Sequence, residues 1–308
     1  MEHIYDMIII GGGPAGYTAA LYASRAGLDA LVIESMAAGG QMAITDVIDN
    51  YPGFDEGIDG FTLGMRMQTG AQRFGAKTKY ATVNEARLSG DIKKIYCGDE
   101  EINTRTVVIA TGAQPRPLGL SDEDTFSGRG VHYCAHCDGR FYKDKTVAVV
   151  GGGNTAVSDA LYLSRLAKKV YVIHRRDTLR ATKIYHDPLM KAQNVEFIWN
   201  THVTELMGDN RLSAIGIERT DNGEKSKLYI DGLFVSIGRE PSTQLFGQEL
   251  LLDKNGYIVA DESTKTNVCG VYAVGDVRTK ALRQIVTAVA DGAVAAHFAE
   301  EYLSGYQN

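Results

Sequence analysis

Two glycine-rich turns constrain the fold of this chain more than any other feature. The first, Gly11–Gly16, follows the apolar run 7–10 and precedes a helical stretch. The second, Gly151–Ala156, stands between the apolar run 147–150 and another helical stretch. A strand, a tight glycine turn and a helix in this order form the fingerprint of dinucleotide-binding units. The sequence therefore predicts two nucleotide sites.

Each turn is expected to hold a pyrophosphate at the start of its helix. Gly11 permits the turn, Gly13 lets the backbone approach the phosphates, and Gly16 lets the helix pack closely on the strand. In the second turn Ala156 takes the third small position. The free backbone N–H groups and the positive end of the helix dipole favour phosphate at both places.

The residue that ends each second strand indicates which nucleotide is bound. Glu34 and His174 stand at the same offset from the middle glycine of their turns. A carboxylate at this point accepts hydrogen bonds from ribose hydroxyls and repels a 2′-phosphate, so the first site fits FAD or NAD. His174 is followed by Arg175, Arg176 and, four positions later, Arg180. The guanidinium groups of these arginines match a phosphate in charge and geometry, so the second site fits NADPH. The alternative is that these arginines only form a solvated strand end.

Composition excludes several other classes of protein. The chain has 308 residues, 44% hydrophobic and 23% charged, with a formal net charge of −6. A negative charge without basic and aromatic clusters argues against nucleic-acid binding. No apolar stretch approaches the roughly 18 residues of a membrane span, and the first residues do not resemble a signal peptide. We expect a cytoplasmic protein of two domains.

The motif Cys134-Ala-His-Cys137-Asp138 lies between the two turns. With four cysteines in the chain, a disulfide framework is not expected, and a CxxC pair in a reducing compartment is catalytic or binds metal. The alternative is zinc, because His132 and His136 are close by, but no second pair of ligands completes a site, and we expect no metal. Cys97 and Cys269 are interpreted as small buried apolar residues.

Strands alternate with helical stretches almost throughout, as in parallel sheets covered by helices. The strands ending at Thr111-Gly112 and at Gly238 resemble the closing strands of two related domains, and 114–117 and 238–241 read as linkers. The C-terminal piece is too short for a domain and is expected to complete the first one. The predicted fold is α/β, with two Rossmann-like three-layer dinucleotide-binding domains, the second inserted into the first. Its predicted boundaries are 1–113 plus 245–308 for one domain and 114–244 for the other.

Both fingerprints, the CAHCD and HRRDTLR motifs and the late VYAVGD segment occur in an order that resembles the low-molecular-weight thioredoxin reductase family. The resemblance covers nearly the whole chain. It implies that 1–113 plus 245–308 bind FAD and that 114–244 bind NADPH and carry the redox pair. Reductases of the larger glutathione-reductase type carry their dithiol early in the FAD domain, so the position of Cys134 selects the smaller family.

The resemblance also assigns residues. The expected FAD residues are Gly11, Gly13, Pro14, Ala15, Gly16, Glu34, Gly40, Gln41, Thr45, Asn50, Ala110, Thr111, Gly112, Asp276, Arg283, Gln284 and Ile285. The expected NADPH residues are Gly151, Gly153, Asn154, Thr155, Ala156, His174, Arg175, Arg176, Arg180, Ile237 and Gly238. Cys137 is expected to face the flavin, Cys134 to attack the partner, and Asp138 to act as acid and base.

The implied reaction carries electrons from NADPH to FAD, then to the Cys134–Cys137 disulfide, and finally to the disulfide of thioredoxin or a thioredoxin-like protein. The family also implies a homodimer. The main alternative is the flavoprotein reductase of a peroxiredoxin system, which carries an extra N-terminal CxxC module. Dithiol oxidases of this fold lack the NADPH arginines, and the related ferredoxin–NADP reductases lack the CxxC.

Overall fold

A computed structural model describes residues 3–45, 47–182 and 186–305 of the chain. The chain forms a discontinuous unit, Met1–Gln114 with Glu240–Asn308, and an inserted unit, Pro115–Arg239. The chain thus passes between the units after residues 114 and 239, whereas the sequence-based boundaries follow residues 113 and 244.

The elements follow one another in the order expected for alternating strands and helices. The strands are β1 (Ile4–Ile10), β2 (Ala30–Glu34), β3 (Lys77–Tyr80), β4 (Glu85–Arg87), β5 (Lys93–Cys97), β6 (Glu100–Ile109), β7 (Ala113–Pro115), β8 (Val131–His132), β9 (Thr146–Val150), β10 (Lys169–His174), β11 (Val195–Trp199), β12 (Thr201–Gly208), β13 (Leu212–Arg219), β14 (Lys225–Tyr229), β15 (Gly232–Val235), β16 (Arg239–Pro241) and β17 (Val271–Ala273). The helices are α1 (Pro14–Arg25), α2 (Gly60–Gln72), α3 (Glu123–Phe126), α4 (Ala135–Asp138), α5 (Asn154–Ser164), α6 (His186–Met190) and α7 (Ile285–Ser304), with 3₁₀ turns at Gly40–Ile44, Gly139–Tyr142 and Gly275–Val277.

The sheet of the discontinuous unit has the strand order β3-β2-β1-β6-β5-β4, with β17 paired to the end of β6. The strands β1, β2, β3, β6 and β17 run parallel, while β5 and β4 continue the sheet antiparallel. Met7 faces Ala30 on one side and Thr106 on the other. The ends of β1 and β2 are buried on both faces, as expected for parallel strands covered by helices.

Small residues bring α1 and α7 together in this unit. The buried residues of α7 include Ala288, Ala295, Ala296 and Ala299, and those of α1 include Ala15, Ala19, Ala20 and Ala23. A Cβ added at Gly292 would overlap the carbonyl oxygen of Ala15, so the two backbones touch at that point. The C-terminal helix therefore completes the core that the first residues of the chain begin.

The inserted unit has a parallel sheet of order β11-β10-β9-β15-β8 and an antiparallel sheet of order β12-β13-β14. Val149 faces Val172 on one neighbouring strand and Phe234 on the other, and all three side chains are fully buried. His132, the last residue of β8, faces Phe234. In the described part of the chain no helix is both long and apolar enough to span a membrane.

Candidate functional site

The first glycine turn has the backbone geometry that its fingerprint requires. Gly11 adopts φ +107°, and a Cβ there would overlap the carbonyl oxygen of Ala110. A Cβ at Gly16 would overlap the carbonyl oxygen of Gly11, so α1 packs directly against the turn. Gly13 differs, because no atom lies within 4 Å of where its Cβ would stand. The backbone at Gly13 therefore faces open space at the start of α1, and this fits a pyrophosphate cradle.

Two further segments of the discontinuous unit converge on this turn. A Cβ at Gly40 would lie 3.6 Å from the Cα of Gly13, and a Cβ at Gly275 would lie 3.1 Å from the Cβ of Ala15. Gly40 thus borders the open side of the turn. The 3₁₀ turn that carries Asp276 packs against the first residues of α1. Residues predicted from distant parts of the sequence meet around one helix end.

Glu34 ends β2 and is only 8% exposed. Its Oε2 accepts a hydrogen bond of 2.6 Å from the Gly12 N–H, and its Oε1 accepts one of 3.0 Å from the Met36 N–H. Oε1 also accepts from the Ser35 hydroxyl at 3.3 Å. A carboxylate has about four acceptor positions, so one remains for a ribose hydroxyl. The carboxylate therefore both fixes the turn and places a negative charge beside it.

Gln41 and Asn50 make contacts that the sequence did not predict. The Gln41 amide donates to the Ala113 carbonyl and, at 2.7 Å, to Gln114 Oε1. Asn50 donates at 2.9 Å to Gln284 Oε1, and Gln284 in turn caps the first turn of α7. Asn50 and the start of α7 are therefore joined, although 234 positions separate the two amides in sequence.

The remaining predicted FAD residues lie on turns held by hydrogen bonds. Thr111 donates at 2.7 Å to the Ser242 carbonyl, and the Gly112 carbonyl accepts from the Ser242 N–H. The Thr45 carbonyl accepts from the Gly60 N–H at 2.9 Å. The Arg283 guanidinium donates to the carbonyls of Asp276, Arg278 and Lys280, and Ile285 begins α7. Arg283 is thus tied to the 276–280 turn that precedes α7.

A buried ion cluster supports the same turn. Asp291 accepts from the Gly275 N–H at 2.8 Å and pairs with Arg278 and Lys280, each at 2.7 Å. Burial alone would raise the pKa of Asp291, but the two cations hold it below its ordinary value. Sequence analysis did not identify this cluster, because its members come together only when α7 packs on the turn.

The second turn repeats the first in the inserted unit. Gly151 adopts φ +144°, and a Cβ there would overlap the carbonyl oxygen of Ser236 and lie 2.8 Å from the Cβ of Ala156. No atom lies within 4 Å of where a Cβ of Gly153 would stand. A second cradle of the same shape therefore precedes α5.

His174 lies against this turn and is 4% exposed. A Cβ at Gly152 would overlap its ring. Its Nε2 is buried and has no hydrogen-bond partner among the described residues, which is the state expected of a group that bonds a ligand. Burial, together with the charges of Arg180, Arg176 and Arg175, lowers the pKa of His174.

The three arginines are exposed, and no ion pair of the described residues occupies their guanidinium groups. The backbone N–H of Arg180 donates at 2.7 Å to the Gly152 carbonyl, which ties the segment to the turn. Asn154 and Thr155 begin α5 and are exposed, with Asn154 Oδ1 accepting from Thr182. After β15, Ile237 packs against the core, and the Gly238 carbonyl accepts from the Arg116 N–H.

The CxxC pair is closed as a disulfide between Cys134 and Cys137. Cys134 precedes the short helix α4, and both cysteines are partly exposed. Among the described residues no group of three or more His, Cys, Asp or Glu side chains is arranged to hold a metal ion. Cys97 is partly buried, and this raises the pKa of its thiol, whereas Cys269 is exposed in a turn. The expectation that Cys269 is buried was therefore wrong, because this residue lies in the turn before β17 and not in a strand.

Asp138 contacts a buried pair that sequence analysis missed. Its Oδ2 lies 3.1 Å from Nδ1 of His132, and Nε2 of His132 lies 2.7 Å from the hydroxyl of Tyr142. His132 and Tyr142 are 7% and 1% exposed. Sequence analysis considered His132 only as a zinc ligand. Its position two residues before the redox pair could have indicated a role beside the disulfide.

Comparisons with known proteins agree over the full length of the chain. A family model described as pyridine nucleotide-disulphide oxidoreductase matches residues 5–292. A thioredoxin reductase of Listeria innocua is 47% identical over 303 residues, which cover 98% of this chain and 95% of the relative. A thioredoxin reductase of Bacillus subtilis is 43% identical, with 99% and 97% covered.

The fold agrees equally well with a solved structure. The crystal structure of a thioredoxin reductase from Streptococcus pyogenes matches with a TM-score of 0.91 at 43% identity, covering 99% of this chain and 100% of the other. This match confirms the predicted α/β class with two Rossmann-like domains.

Proposed function

The chain belongs to the pyridine nucleotide-disulphide oxidoreductase family, and we propose that it acts there as an NADPH-dependent thioredoxin reductase with FAD as its flavin. The predicted resemblance to the low-molecular-weight thioredoxin reductases is confirmed by the full-length relatives. The observation that carries the proposal is a CxxC disulfide in the same unit as a glycine turn whose nearby arginines are exposed. A nucleotide-binding protein without redox chemistry has no use for that disulfide.

We assign FAD to the discontinuous unit. The open backbone at Gly13 accepts the pyrophosphate, and Glu34 accepts hydrogen bonds from the adenosine ribose. Gly40 borders the same space. Gln284 caps the start of α7, and the positive dipole end of this helix would favour negative charge on a bound flavin. When bound, FAD would supply two-electron transfer between the nicotinamide and the disulfide.

We assign NADPH to the inserted unit. Gly153 leaves room for the pyrophosphate, and the unpartnered Nε2 of His174 is available to the adenosine part of the coenzyme. Arg175, Arg176 and Arg180 supply positive charge for a 2′-phosphate. NADH lacks that phosphate, so the arginines distinguish the two coenzymes.

Cys134 attacks the disulfide of the partner and Cys137 then closes the enzyme disulfide, with Asp138 as acid and base. The proposed partner is thioredoxin or a thioredoxin-like protein. The names of the relatives state thioredoxin as the substrate of those proteins. We also propose a homodimer and a cytoplasmic location, both on the family resemblance. A reductase component of a peroxiredoxin system is not favoured, since the full-length relatives are thioredoxin reductases.

The test is NADPH oxidation by the purified holoenzyme with thioredoxin as acceptor. We expect turnover that requires FAD and thioredoxin together. The Cys134→Ser variant should lose thioredoxin reduction but keep flavin. Turnover with a peroxiredoxin and none with any thioredoxin would contradict the proposal.

A further inference from the structure

We propose that His132 is a positioning residue for disulfide reduction: it holds the Asp138 carboxyl group in place and is itself held by Tyr142. The inference rests on the proposed function, because Asp138 is the proposed acid and base. It starts from the distances between the three side chains, 3.1 Å from Asp138 Oδ2 to His132 Nδ1 and 2.7 Å from His132 Nε2 to the Tyr142 hydroxyl.

The donor and acceptor roles follow from chemistry. Oδ2 of Asp138 can only accept, whether the carboxyl group is ionised or protonated on Oδ1. When His132 is neutral, its Nδ1 must therefore carry the proton, and Nε2 is left as an acceptor. Tyr142 must then donate to Nε2. Burial raises the pKa of Tyr142, despite a hydrogen bond with Arg211 that lowers it, so its hydroxyl keeps its proton. Tyr142 therefore fixes the tautomer that Asp138 needs, as second partners of histidines do elsewhere.

The surroundings hold the ring of His132 in one orientation. His132 ends β8 directly opposite Phe234 of β15, and the two rings stack with centroids 5.3 Å apart. Tyr142 packs edge-on against His132 at 5.2 Å. A Cβ at Gly232 would overlap the Tyr142 ring, so the strand β15 carries glycine where the phenol needs space. A ring held between two aromatic neighbours can fix a carboxyl group in turn.

The proposed chemistry moves protons between sulfurs through one oxygen of Asp138. The Cys134 thiolate attacks the partner disulfide, and the first partner sulfur leaves with the electron pair and takes the proton of the Asp138 carboxyl group. The Asp138 carboxylate then accepts the Cys137 thiol proton. The Cys137 thiolate attacks Cys134, the second partner sulfur leaves, and Asp138 returns that proton to it.

The balance is two protons and two electrons gained by the partner and a disulfide formed on the enzyme. Asp138 ends as a carboxylate and regains its proton from water, because its side chain is 21% exposed. His132 engages Oδ2 throughout, so Oδ1 is the oxygen that exchanges protons. Without His132 the carboxyl group would be free to rotate, and proton transfer would become slower.

Three variants separate positioning from packing. His132→Phe keeps the aromatic volume against Phe234 but removes both polar contacts. His132→Asn places an amide donor near the position of Nδ1 and should restore the contact with Asp138. Tyr142→Phe removes only the hydroxyl, and His202→Phe changes an exposed histidine of β12 as a matched control.

The holoenzymes are compared by kcat with thioredoxin, by NADPH-dependent ferricyanide reduction, which does not need the dithiol, and by single-turnover reaction of the reduced enzyme with an aromatic disulfide. An aromatic thiolate leaves without needing a proton. His132→Phe should lower kcat with thioredoxin by about tenfold, part of the ~100-fold or more typical of acid–base catalysis. Ferricyanide reduction and the first release of aromatic thiolate should be unchanged. His132→Asn should recover most of kcat, and Tyr142→Phe should give a smaller loss than His132→Phe.

The possible results distinguish a failure of the proposed function from a failure of the proposed role of His132. If the wild-type enzyme does not reduce thioredoxin with NADPH, the proposed function fails. If it does, but His132→Phe reduces thioredoxin at the wild-type rate, His132 does not position the acid. Equal losses with thioredoxin and with the aromatic disulfide would indicate a purely structural role and would also overturn the proposal, as would a loss in His132→Asn as large as in His132→Phe.

Discussion

The arginines after β10 offer the most direct test of coenzyme assignment. Arg175 and Arg176 are exposed, have no ion-pair partner in the part of the chain that the structure describes, and lie close enough to His174 to lower its pKa. Their guanidinium groups therefore produce a positive potential beside the second turn, while their backbone carbonyls take part in hydrogen bonds of the fold. Replacing both with alanine should leave the fold intact and remove this potential.

The size of the effect follows from the number of charge-assisted hydrogen bonds that the substitutions remove. Each such bond contributes roughly 1.5–3 kcal/mol, and exposure favours the lower value. Two bonds then contribute about 3 kcal/mol, which corresponds to a decrease of about 150-fold in kcat/KM for NADPH. NADH has no 2′-phosphate, so its kcat/KM should change little. The NADPH value of the wild type should also fall with added salt, because exposed charges are screened.

The assay measures kcat/KM for both coenzymes with thioredoxin as acceptor in the double variant Arg175→Ala/Arg176→Ala. Lys227→Ala removes one positive charge from an exposed position on β14 of the same unit and is the control. This control should change kcat/KM for neither coenzyme. A parallel loss for NADPH and NADH in the arginine variant would refute the assignment of the second turn to a 2′-phosphate.

Three further predictions follow. Gly13 has φ −78°, which alanine adopts, and open space around its Cβ position, so Gly13→Ala should fold normally but lose flavin. Gly16→Ala should be unstable, because its Cβ would overlap the carbonyl oxygen of Gly11. Flavin content and melting temperature measure the two effects, and a Gly13→Ala protein with full flavin content would disprove the cradle. Cys134→Ser should leave a Cys137 thiolate beside the flavin and produce a long-wavelength absorbance band that Cys137→Ser lacks. Identical spectra of the two variants would contradict the roles assigned to the two cysteines. The lowered pKa of His174 means that stability is fully present above its ordinary value of 6.5 and is lost as the pH falls through the lower pKa of the folded protein. Urea unfolding of wild type and His174→Gln at a series of pH values should therefore diverge below pH 6.5, and parallel curves would contradict this origin.

The geometry of both turns could be predicted from sequence because its causes are local. Gly11 and Gly151 need φ values that other residues rarely adopt, and the small residues Gly16 and Ala156 are needed where a helix meets the turn. The side chains that matter at longer range could not be predicted in the same way. The contact between His132 and Asp138 depends on how β8, α4 and the turn after it fold together.

Gln41 illustrates the same limit in the other unit. The family resemblance placed it near the flavin, and in the structure its amide donates to the carbonyl of Ala113 and to Oε1 of Gln114. Only the packed fold brings residues 41 and 113 together. The Asp291 cluster has the same cause, because helix periodicity identifies the buried face of α7 but not the cations that meet it. Sequence patterns therefore specified the backbone of the sites better than the partners of their side chains.

The difference between Glu34 and the arginines also supports the proposed assignment of FAD to the first turn and NADPH to the second. Both turns begin with a glycine of positive φ and leave open space at the third glycine, so neither selects a nucleotide by shape alone. A 2′-phosphate about 4 Å from the Glu34 carboxylate would meet a repulsion of about 4 kcal/mol at an effective dielectric constant of about 20. That is roughly a thousandfold against NADPH in the first turn. In the second turn the same phosphate meets Arg175, Arg176 and Arg180 and no buried carboxylate at the corresponding position, which is held by His174. We therefore expect the first turn to reject NADPH, and we propose that electrons enter at the unit that also carries the disulfide.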